Sequence, residues 1–413
     1  MLKRDERRYF NGIIAETNND MSFASATMPQ EVMKRCFNEL KNEAEELLVI
    51  SGPGLFNYSS INGDDLLRQR LVSSGLAGEN SNKNMVTITN GGQEAIKLTV
   101  EAILNSGERV MSERVSYTGL EQIVLSSKGK IVGFSDELNN LKLSDIEEEI
   151  KKNKPKLLYL VPDINNPCGD ILRDEVRRLL VKLARELSFW IIEDQTLREL
   201  CFDINKKPTS MFSRSKKVVI VGSISKMVVP GLRVGWVVTK NDWLREKILR
   251  LKESSTLSTS TFDQRLVARL LMGGYERTVK WVRNYYFIKM KLMLENLEKK
   301  MPKGFSWIEP KGGFLIWVRG PENFEAKKAL VLALKNGVSF VPGEVFYYGE
   351  KKLNTFRLSI HAIDMLDIAE NVERLAETLR GKKVANRERD GWGWIGMIRS
   401  IFRKRVLNLF GRV

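Results

Sequence analysis

The stretch GSISKMVVPGLRVGW, Gly222 to Trp236, decides how the rest of the chain is interpreted. It follows the apolar run VVIV, which predicts a buried strand, and breaks into a polar loop that holds Lys226. A second apolar run begins after Arg233. A lysine between two strands, with serines and an arginine nearby, suits an amine that forms a Schiff base beside a phosphate site. For the short S-x-S-K motif alone, a surface lysine in a polar turn is the alternative.

The composition indicates a globular chain with a large core. Of its 413 residues 43% are apolar, which suits one large domain or two. No segment approaches the roughly 20 apolar residues that span a bilayer, and the charged N-terminus MLKRDERRYF has no apolar stretch of signal-peptide type behind it. We therefore expect a cytoplasmic protein. The net charge of +16 favours anionic ligands and surfaces.

Cysteine and histidine usage argues against metal and disulfide chemistry. Cys36, Cys168 and Cys201 lie far apart and form no C-x-x-C pair, so neither a disulfide framework nor a structural zinc site is expected. His361 is the only histidine, which leaves a Ser-His-Asp triad resting on one residue and disfavours a histidine-rich metal site. We expect no metal.

Hydrophobic patterning predicts an α/β protein. Residues 1–54 form a partly helical lead-in, and from Met85 short apolar strands alternate with amphipathic helices. This alternation predicts a mostly parallel sheet whose ligands bind at the carboxyl ends of the strands. A long helix from Tyr275 to Lys300 is followed by a smaller α+β region with helices at Glu325 to Lys335 and Met365 to Leu379. One stripe of the lead-in helix is predicted to be buried: Val32, Cys36, Leu40 and Leu47.

Several motifs follow one another in a recognisable order. They are NYSSINGDDLLRQRL, TNGGQEAI, ERVSYTGL, LYLVPDINNPCG, WIIEDQTLREL, the lysine stretch and NTFRLSI. Together they resemble the fold-type I enzymes that use pyridoxal 5'-phosphate (PLP), the class I/II aminotransferases of the aspartate aminotransferase superfamily. The resemblance implies a seven-stranded large domain at 55–290 and a small domain at 291–383, to which residues 1–54 contribute. Residues 384–413 lie outside the family pattern.

The resemblance assigns a cofactor site. Lys226 would hold PLP covalently and act as the catalytic residue. Backbone N–H groups at the start of a helix, with nearby hydroxyl and guanidinium groups, would bind the phosphate. Those phosphate ligands are expected to be Gly91, Gly92, Gln93, Ser223, Ser225 and Arg233, with Tyr58 reaching the phosphate of a neighbouring subunit. Glycine at a strand-to-helix turn is common, so TNGGQEAI alone is weak support.

The cofactor ring would be held by three further side chains. Tyr117 would stack on the pyridine, Asn166 would donate its amide to the 3-oxygen, and Asp194 would keep the pyridine nitrogen protonated. The carboxylates at the end of WIIED could instead bind magnesium or serve a glycosidase, although nothing else in the chain supports either use. For Tyr117 and Tyr58, an ordinary core tyrosine is the alternative.

Substrate binding is expected at Arg357, Asn166 and Ala26. Arg357 matches the family arginine that binds the substrate α-carboxylate, a group that a planar guanidinium fork suits. Ala26 stands where the family has a glycine, and Leu197 where it commonly has a tyrosine. The EDQTLREL form resembles the aminotransferase-like domain of GntR-type (MocR) regulators, although no separate DNA-binding domain is expected in this chain.

The resemblance favours an aminotransferase that moves an amino group between an amino acid and a 2-oxo acid, working as a homodimer with shared active sites. A PLP-dependent lyase or decarboxylase, and a low-turnover PLP-binding sensor, are the alternatives. The tail beyond Gly391 carries five basic residues, no acidic residue and an apolar stripe. It predicts either peripheral membrane contact or docking on the parent domain, with nucleic-acid binding disfavoured.

Overall fold

The computed structural model describes residues 22–24 and 28–384. Ala26 and residues 385–413, which include nearly all of the basic tail, lie outside the described residues. In the described part no helix combines the length and the apolarity that crossing a membrane requires.

The larger sheet has seven strands, the number that the resemblance implies. They are β1 (Val86–Thr89), β2 (Arg109–Ser112), β3 (Lys130–Gly133), β4 (Leu157–Leu160), β5 (Trp190–Asp194), β6 (Val218–Ser223) and β7 (Gly235–Val238). Their spatial order is β1-β7-β6-β5-β4-β2-β3. β7 runs antiparallel to β1 and β6, and the other pairs are parallel. The predicted mostly parallel sheet is therefore confirmed.

The sheet is apolar on both faces because helices cover it on both sides. Alternate residues of one strand enter two different cores: Ile191 belongs to one and Ile192 to the other. The central strands consequently read as continuous apolar runs, with every residue of β4, β5 and β6 buried. This pattern explains why the sequence identified the strands without ambiguity.

Nine α-helices lie between residues 30 and 300 of the described chain. They are α1 (Gln30–Ser51), α2 (Asp65–Ser73), α3 (Gly92–Ile103), α4 (Gly119–Ser126), α5 (Leu143–Asn153), α6 (Asp174–Glu186), α7 (Asp242–Ser255), α8 (Thr261–Gly273) and α9 (Tyr275–Lys300). α9 has the predicted limits. All four members of the predicted α1 stripe are buried.

A second, antiparallel sheet follows α9 and has the order β10-β11-β9-β8. Its strands and helices are β8 (Ser306–Trp307), β9 (Leu315–Arg319), α10 (Ala326–Lys335), β10 (Val341–Pro342), β11 (Thr355–Ser359) and α11 (Ile368–Leu379). α11 begins three residues after the predicted Met365, because Met365–Asp367 form a separate 3-10 turn capped by Asp364.

The N-terminal residues that are described join this second region. The Phe23 amide donates to the Ser339 carbonyl at 3.0 Å, and the Ser359 amide donates to the Phe23 carbonyl at 2.7 Å. These bonds place the N-terminal segment beside β11. The domain limits at residues 54, 290 and 383 stay predictions.

Candidate active site

The register of the large sheet gathers the predicted phosphate ligands at one edge. Thr89 at the end of β1 and Ser223 at the end of β6 both pair with Gly235, the first residue of β7. Because β7 is antiparallel, its beginning lies where β1 and β6 end. The loops that carry Gly91 and Arg233 therefore meet at the carboxyl edge, where ligands of such sheets bind.

Glycine is required at this meeting point for steric reasons. A Cβ on Gly91 would stand 2.5 Å from Nη2 of Arg233, and a Cβ on Gly235 would stand 2.4 Å from the Gly91 carbonyl carbon. Gly91 also has a φ of 84° and precedes α3 without a side-chain cap. The first N–H groups of α3 are thus left to bind an anion, and the Arg233 guanidinium lies beside them.

The serines of the lysine loop lie beside Gly91 and Arg233, and we call these four residues the phosphate cup. The Ser223 hydroxyl donates to the Ser225 hydroxyl at 3.0 Å, and it also accepts from the Ser225 amide at 3.2 Å. Arg233 has a left-handed backbone with a φ of 50°, and its Nη2 donates to the Asn90 carbonyl at 3.3 Å. The structure therefore brings Gly91, Ser223, Ser225 and Arg233 together.

Lys226 stands just beyond the cup. Loss of hydration on burial lowers the pKa of its amine, and the positive charges of Arg357 and Arg233 lower it further. Its Nζ lies 5.9 Å from the ring centre of Phe314. A lysine with a lowered pKa is more often neutral, and only the neutral amine is a nucleophile or a base.

Asp194 ends β5 as a buried carboxylate with two donors. Tyr159 donates its hydroxyl to Oδ2 at 2.6 Å, and the Thr196 amide donates to Oδ1 at 2.9 Å. Burial raises the pKa of Asp194, whereas the bonds from Tyr159 and Thr196 oppose that rise. The hydrogen bonds fix the carboxylate in one orientation, as a group that faces a ring nitrogen requires.

The predicted stacking tyrosine is tied to a predicted phosphate ligand. Tyr117 donates its hydroxyl to Oε1 of Gln93 at 2.6 Å. Gly119 is close beneath the ring, since a Cβ there would stand 2.5 Å from Cε1 of Tyr117. Burial is the largest cause that raises the Tyr117 pKa, and the charge of Asp194 raises it further.

Asn166 and Arg357 meet although 191 residues separate them in sequence. Nη1 of Arg357 donates to Oδ1 of Asn166 at 3.3 Å, and Nη2 donates to the Ala24 carbonyl at 3.5 Å. The guanidinium carbon lies 5.0 Å from the ring centre of Phe346. Burial lowers the Arg357 pKa to about 10, so the side chain is still a cation at neutral pH. Its buried Nε has no hydrogen-bond partner among the described residues.

Tyr58 is the predicted site residue that lies apart from this group. Its side chain is 85% exposed. That position suits a side chain meant for a neighbouring subunit and contradicts the alternative of a core tyrosine. Ala26, predicted to bind substrate, falls outside the described residues.

Family membership follows from the chain as a whole. Residues 18–376 match the family described as aminotransferase class I and II. The chain belongs to this family. PLP is its cofactor, and the predicted family, fold type and cofactor are confirmed together.

Two solved aminotransferases share the fold over most of their length. One is LysN, the α-aminoadipate aminotransferase of Thermus thermophilus, solved with N-(5'-phosphopyridoxyl)-L-leucine. It is 30% identical, with 87% of this chain and 92% of that chain covered and a TM-score of 0.80. The other is the kynurenine aminotransferase of Pyrococcus horikoshii, which is 29% identical, with 92% and 95% covered and a TM-score of 0.84.

A regulator from Bacillus subtilis also matches. This uncharacterized HTH-type transcriptional regulator is 25% identical over 382 residues, which cover 90% of this chain and 76% of the regulator. The match agrees with the predicted resemblance of EDQTLREL to regulator domains. Leu197, which stands in this motif where the aminotransferase family commonly has a tyrosine, is buried in the core.

Three observations show that the residues of this site suit PLP. The Gly91 cradle with Arg233 suits a phosphate, because a side chain at Gly91 would fill it. Asp194 offers a buried carboxylate to a protonated ring nitrogen, and Lys226 offers an amine of lowered pKa to the aldehyde. The site therefore has hydrogen-bond donors for the phosphate, a carboxylate for the ring nitrogen and an amine for the aldehyde.

Sequence reasoning did not predict the contacts that three further residues make at this site. Tyr159 and Thr196 hold Asp194, and Phe314 lies against Lys226. The signal for Tyr159 was present: it pairs with Ile192, and Asp194 is two residues further along β5 on the same face. Identifying it required the pairing register of β4 and β5, which the motifs do not contain.

Proposed function

We propose that this site moves an amino group between an amino acid and a 2-oxo acid, with Lys226 as the catalytic base. The observation that carries the proposal is the position of Lys226, a buried amine whose pKa is lowered first by burial and then by the charges of Arg357 and Arg233. One arginine belongs to the phosphate cup and the other to the proposed carboxylate site. An amino acid bound between them would bring its α-carbon close to the lysine amine.

When bound, PLP supplies an electron sink that makes the α-proton of an attached amino acid acidic. Asp194 would hold the proton on the ring nitrogen, because the hydrogen bonds from Tyr159 and Thr196 orient its carboxylate and favour the charged form. Lys226 would take the α-proton on Nζ and hold it there for return, which makes it the proton carrier of the site. The lowered pKa of Lys226 supports this role, since it raises the neutral fraction of the amine.

Arg357 would orient the substrate through its α-carboxylate. Its guanidinium already uses Nη1 for Asn166, whereas its buried Nε has no partner among the described residues. A carboxylate would satisfy Nε and replace the hydration that Arg357 lost on burial. Asn166 accepts from this arginine through Oδ1, so its amide nitrogen would be left to donate to the 3-oxygen of bound PLP.

Two measurements test these roles. Borohydride reduction followed by peptide mapping should place the pyridoxyl group on Lys226, and a label on any other lysine would refute the assignment. Spectral titration with a panel of amino acids should convert the cofactor to its amine form, and 2-oxo acids should reverse the change. The panel should include 2-aminoadipate and kynurenine, since relatives named for these substrates share the fold.

A low-turnover PLP sensor is the second candidate. Leu197 replaces a tyrosine that would donate to the 3-oxygen, and a transcriptional regulator matches 90% of the chain. A sensor would bind amino acids with a spectral change but would form little of the amine form. Carbon dioxide or another cleaved fragment in the same titration would instead indicate the lyase or decarboxylase alternative.

We also propose that the enzyme is a homodimer in which Tyr58 reaches the phosphate of the second copy. The exposed ring is supported by a fixed backbone: Thr261 donates to the Asn57 carbonyl at 2.6 Å, and Ser59 donates to the Thr259 carbonyl at 3.2 Å. An exposed aromatic ring on a rigid segment is pre-organised for a partner. The cytoplasmic location and the membrane contact of the tail stay predictions.

A further inference from the structure

Behind the cofactor site lies a buried group of two arginines and two carboxylates, which we call the ion cluster: Asp163, Arg177, Glu193 and Arg198. Nη2 of Arg177 donates to Oδ1 of Asp163 at 2.7 Å, and Arg198 binds the other oxygen of the same carboxylate. Nη1 of Arg177 lies 3.8 Å from Oε1 of Glu193. The side chains of Arg177 and Glu193 are both 0% exposed. None of the four is among the residues assigned to the cofactor or the substrate.

Arg177 holds both ends of the loop that carries Asn166. Its Nε donates to the Leu172 carbonyl at 2.9 Å, and its Nη2 donates to the Pro162 carbonyl at 2.7 Å. The Leu172 amide also donates to the Pro162 carbonyl at 2.8 Å, which closes the loop. One guanidinium on α6 therefore fixes the loop from Pro162 to Leu172.

The other side of the cluster fixes the end of β5. Glu193 accepts from the Ser210 hydroxyl at 2.7 Å and from the Met211 amide at 3.2 Å. Because successive side chains of a strand point to opposite faces, Glu193 faces the cluster while its neighbour Asp194 faces Tyr159. Arg198, in the turn that follows β5, ties the same strand end to Asp163.

An apolar filling would be a less costly way to occupy this space. Taking four charges out of water costs free energy that their mutual attraction hardly repays, and well-packed apolar side chains of similar volume are often as stable or more stable. What apolar side chains cannot supply is direction, since each bond of Arg177 and Asp163 has one acceptor and one geometry. The cluster therefore specifies relative position rather than stability alone.

We propose that the ion cluster sets the position of Asn166 relative to Asp194, with Arg177 and Asp163 as positioning residues. The proposal rests on the proposed roles of Asn166 and Asp194. Asn166 must reach the 3-oxygen of the cofactor ring while Asp194 reaches the ring nitrogen, yet Asn166 lies in the loop after β4 and Asp194 ends β5. The ion cluster fixes the Asn166 loop and the end of β5 relative to each other. It affects the cofactor only through these two segments.

The test uses Arg177→Lys, which keeps the charge but loses the planar fork, and Asp163→Asn, which keeps the shape but loses the charge. In the folded holoenzyme, a displaced Asn166 no longer stabilises the phenolate. The pKa of the bound cofactor chromophore should then rise by about 0.5 to 1 unit, the equivalent of one hydrogen bond. The half-reaction with an amino acid should slow by about 10 to 100-fold, as expected of a misplaced group.

A double variant distinguishes positioning from general destabilisation. If Arg177 acts through Asn166, Arg177→Lys should shift the chromophore pKa in the wild-type background but not in an Asn166→Ala background. Arg374→Met is the matched control. Arg374 is also a buried arginine, paired with Glu370 at 3.1 Å on α11, and its loss should lower the melting temperature without moving the chromophore pKa.

The outcomes separate this inference from the proposed function. Arg177→Lys and Asp163→Asn proteins that melt earlier but keep the wild-type chromophore pKa would overturn the positioning role. So would equal shifts from Arg177→Lys in the wild-type and Asn166→Ala backgrounds. A wild-type protein that binds PLP without converting amino acids would overturn the proposed turnover alone, because the chromophore titration does not require turnover.

Discussion

Burial changes the charge behaviour of individual side chains in this aminotransferase, and each change has a measurable consequence. Arg357 shows this most directly, since a half-buried cation with an unsatisfied Nε is prepared for an anion. Lys226 shows the opposite effect, because its charged form is disfavoured by burial and by two arginines. The same physics therefore makes one side chain an anion receptor and the other a base.

The first prediction is that Arg357→Ala weakens the interaction of the enzyme with its amino-acid substrate by about 2 to 5 kcal/mol, as on removal of one partner of a desolvated charge pair. PLP binding should be retained. The measurement is kcat/KM of the half-reaction. Arg319→Ala is the control, since Arg319 lies on the neighbouring strand β9 with its side chain 49% exposed. Equal half-reaction rates for the wild type and Arg357→Ala would refute the carboxylate assignment.

The second prediction concerns Glu113, which follows β2 and accepts from the Val161 amide at 3.1 Å and from the Ser116 hydroxyl at 3.2 Å. Burial raises its pKa to about 7 from 4.5. The folded state thus binds more protons than the unfolded state between these values, so the free energy of unfolding falls as the pH rises through this window. Glu113→Gln should remove this contribution, which amounts to about 2 to 3 kcal/mol between pH 5 and pH 8.

Urea unfolding of the wild type and of Glu113→Gln at both pH values measures this effect. The quantity to compare is the difference between their free energies of unfolding at each pH. Any stability that Glu113→Gln loses through altered hydrogen bonds is lost at both pH values. The free energy of unfolding of the variant, relative to that of the wild type, should therefore rise from the lower to the higher pH. Glu295→Gln is the control, because it removes an exposed carboxylate on α9. A wild-type-minus-variant difference that is constant with pH would show that Glu113 does not titrate in this range.

Some site residues could be predicted from the sequence because short motifs hold them. Lys226, Asp194 and Asn166 each follow or end a strand in a distinctive local pattern, and the structure places all three at the same edge of the sheet. Tyr159 and Phe314 could not be assigned in this way. Their contacts depend on strand register and on the placement of the second sheet, which no local pattern records.

Secondary-structure elements were predicted best where one periodicity dominates. The stripe of α1 and the buried strands follow directly from apolar spacing. Shorter features did not follow from pattern: β10 has two residues, and Ile164 has a φ of 59° in the loop before Asn166. Such a conformation is costly for a β-branched residue and is held by the surrounding packing.

The third prediction concerns the contact between β7 and the loop before α3. In Gly235→Ala the new methyl group would overlap the Gly91 backbone, which cannot move aside as a flexible side chain could. We expect a loss of about 1 to 3 kcal/mol in the free energy of unfolding and weaker PLP binding. Gly231→Ala is the control in the same stretch, since a Cβ there meets no atom within 4 Å.

Urea unfolding and fluorescence titration with PLP measure the two effects. The loss of PLP affinity should exceed the change seen in Gly231→Ala, because the first N–H groups of α3 must shift to make room. If Gly235→Ala binds PLP as tightly as the wild type, those N–H groups do not hold the phosphate. The Gly91 and Gly92 assignments would then be wrong.

On the scale of the complete enzyme, the homodimer that we propose needs a face for the second copy, and one group of exposed side chains suits it. Within ten residues the chain exposes four large apolar side chains, which we call the apolar patch: Val49, Ile50, Phe56 and Tyr58. Their exposures are 84%, 71%, 73% and 85%. Exposed apolar groups clustered in this way are typical of interfaces rather than of a free surface. The patch includes the residue that the family pattern assigns to the neighbouring site.

The fourth prediction is that the double variant Val49→Glu/Ile50→Glu is monomeric, whereas the wild type is a dimer. Two carboxylates buried in an apolar interface would lack partners, and the cost of desolvating them opposes association. Val331→Glu is the control, because Val331 is an apolar residue that is 55% exposed on α10 and not part of the patch. Analytical ultracentrifugation at several protein concentrations would report the mass of each protein.

The monomeric variant should also bind PLP more weakly, because Tyr58 of the second copy would no longer contact the phosphate. Tyr58→Phe separates the two effects: it should remain dimeric, lose only the hydroxyl, and bind PLP less tightly than the wild type by about 10 to 150-fold, the value of one hydrogen bond to a charged group. A dimer that persists in the double variant would show that the interface lies elsewhere. Unchanged PLP affinity in Tyr58→Phe would show that this hydroxyl does not reach the phosphate.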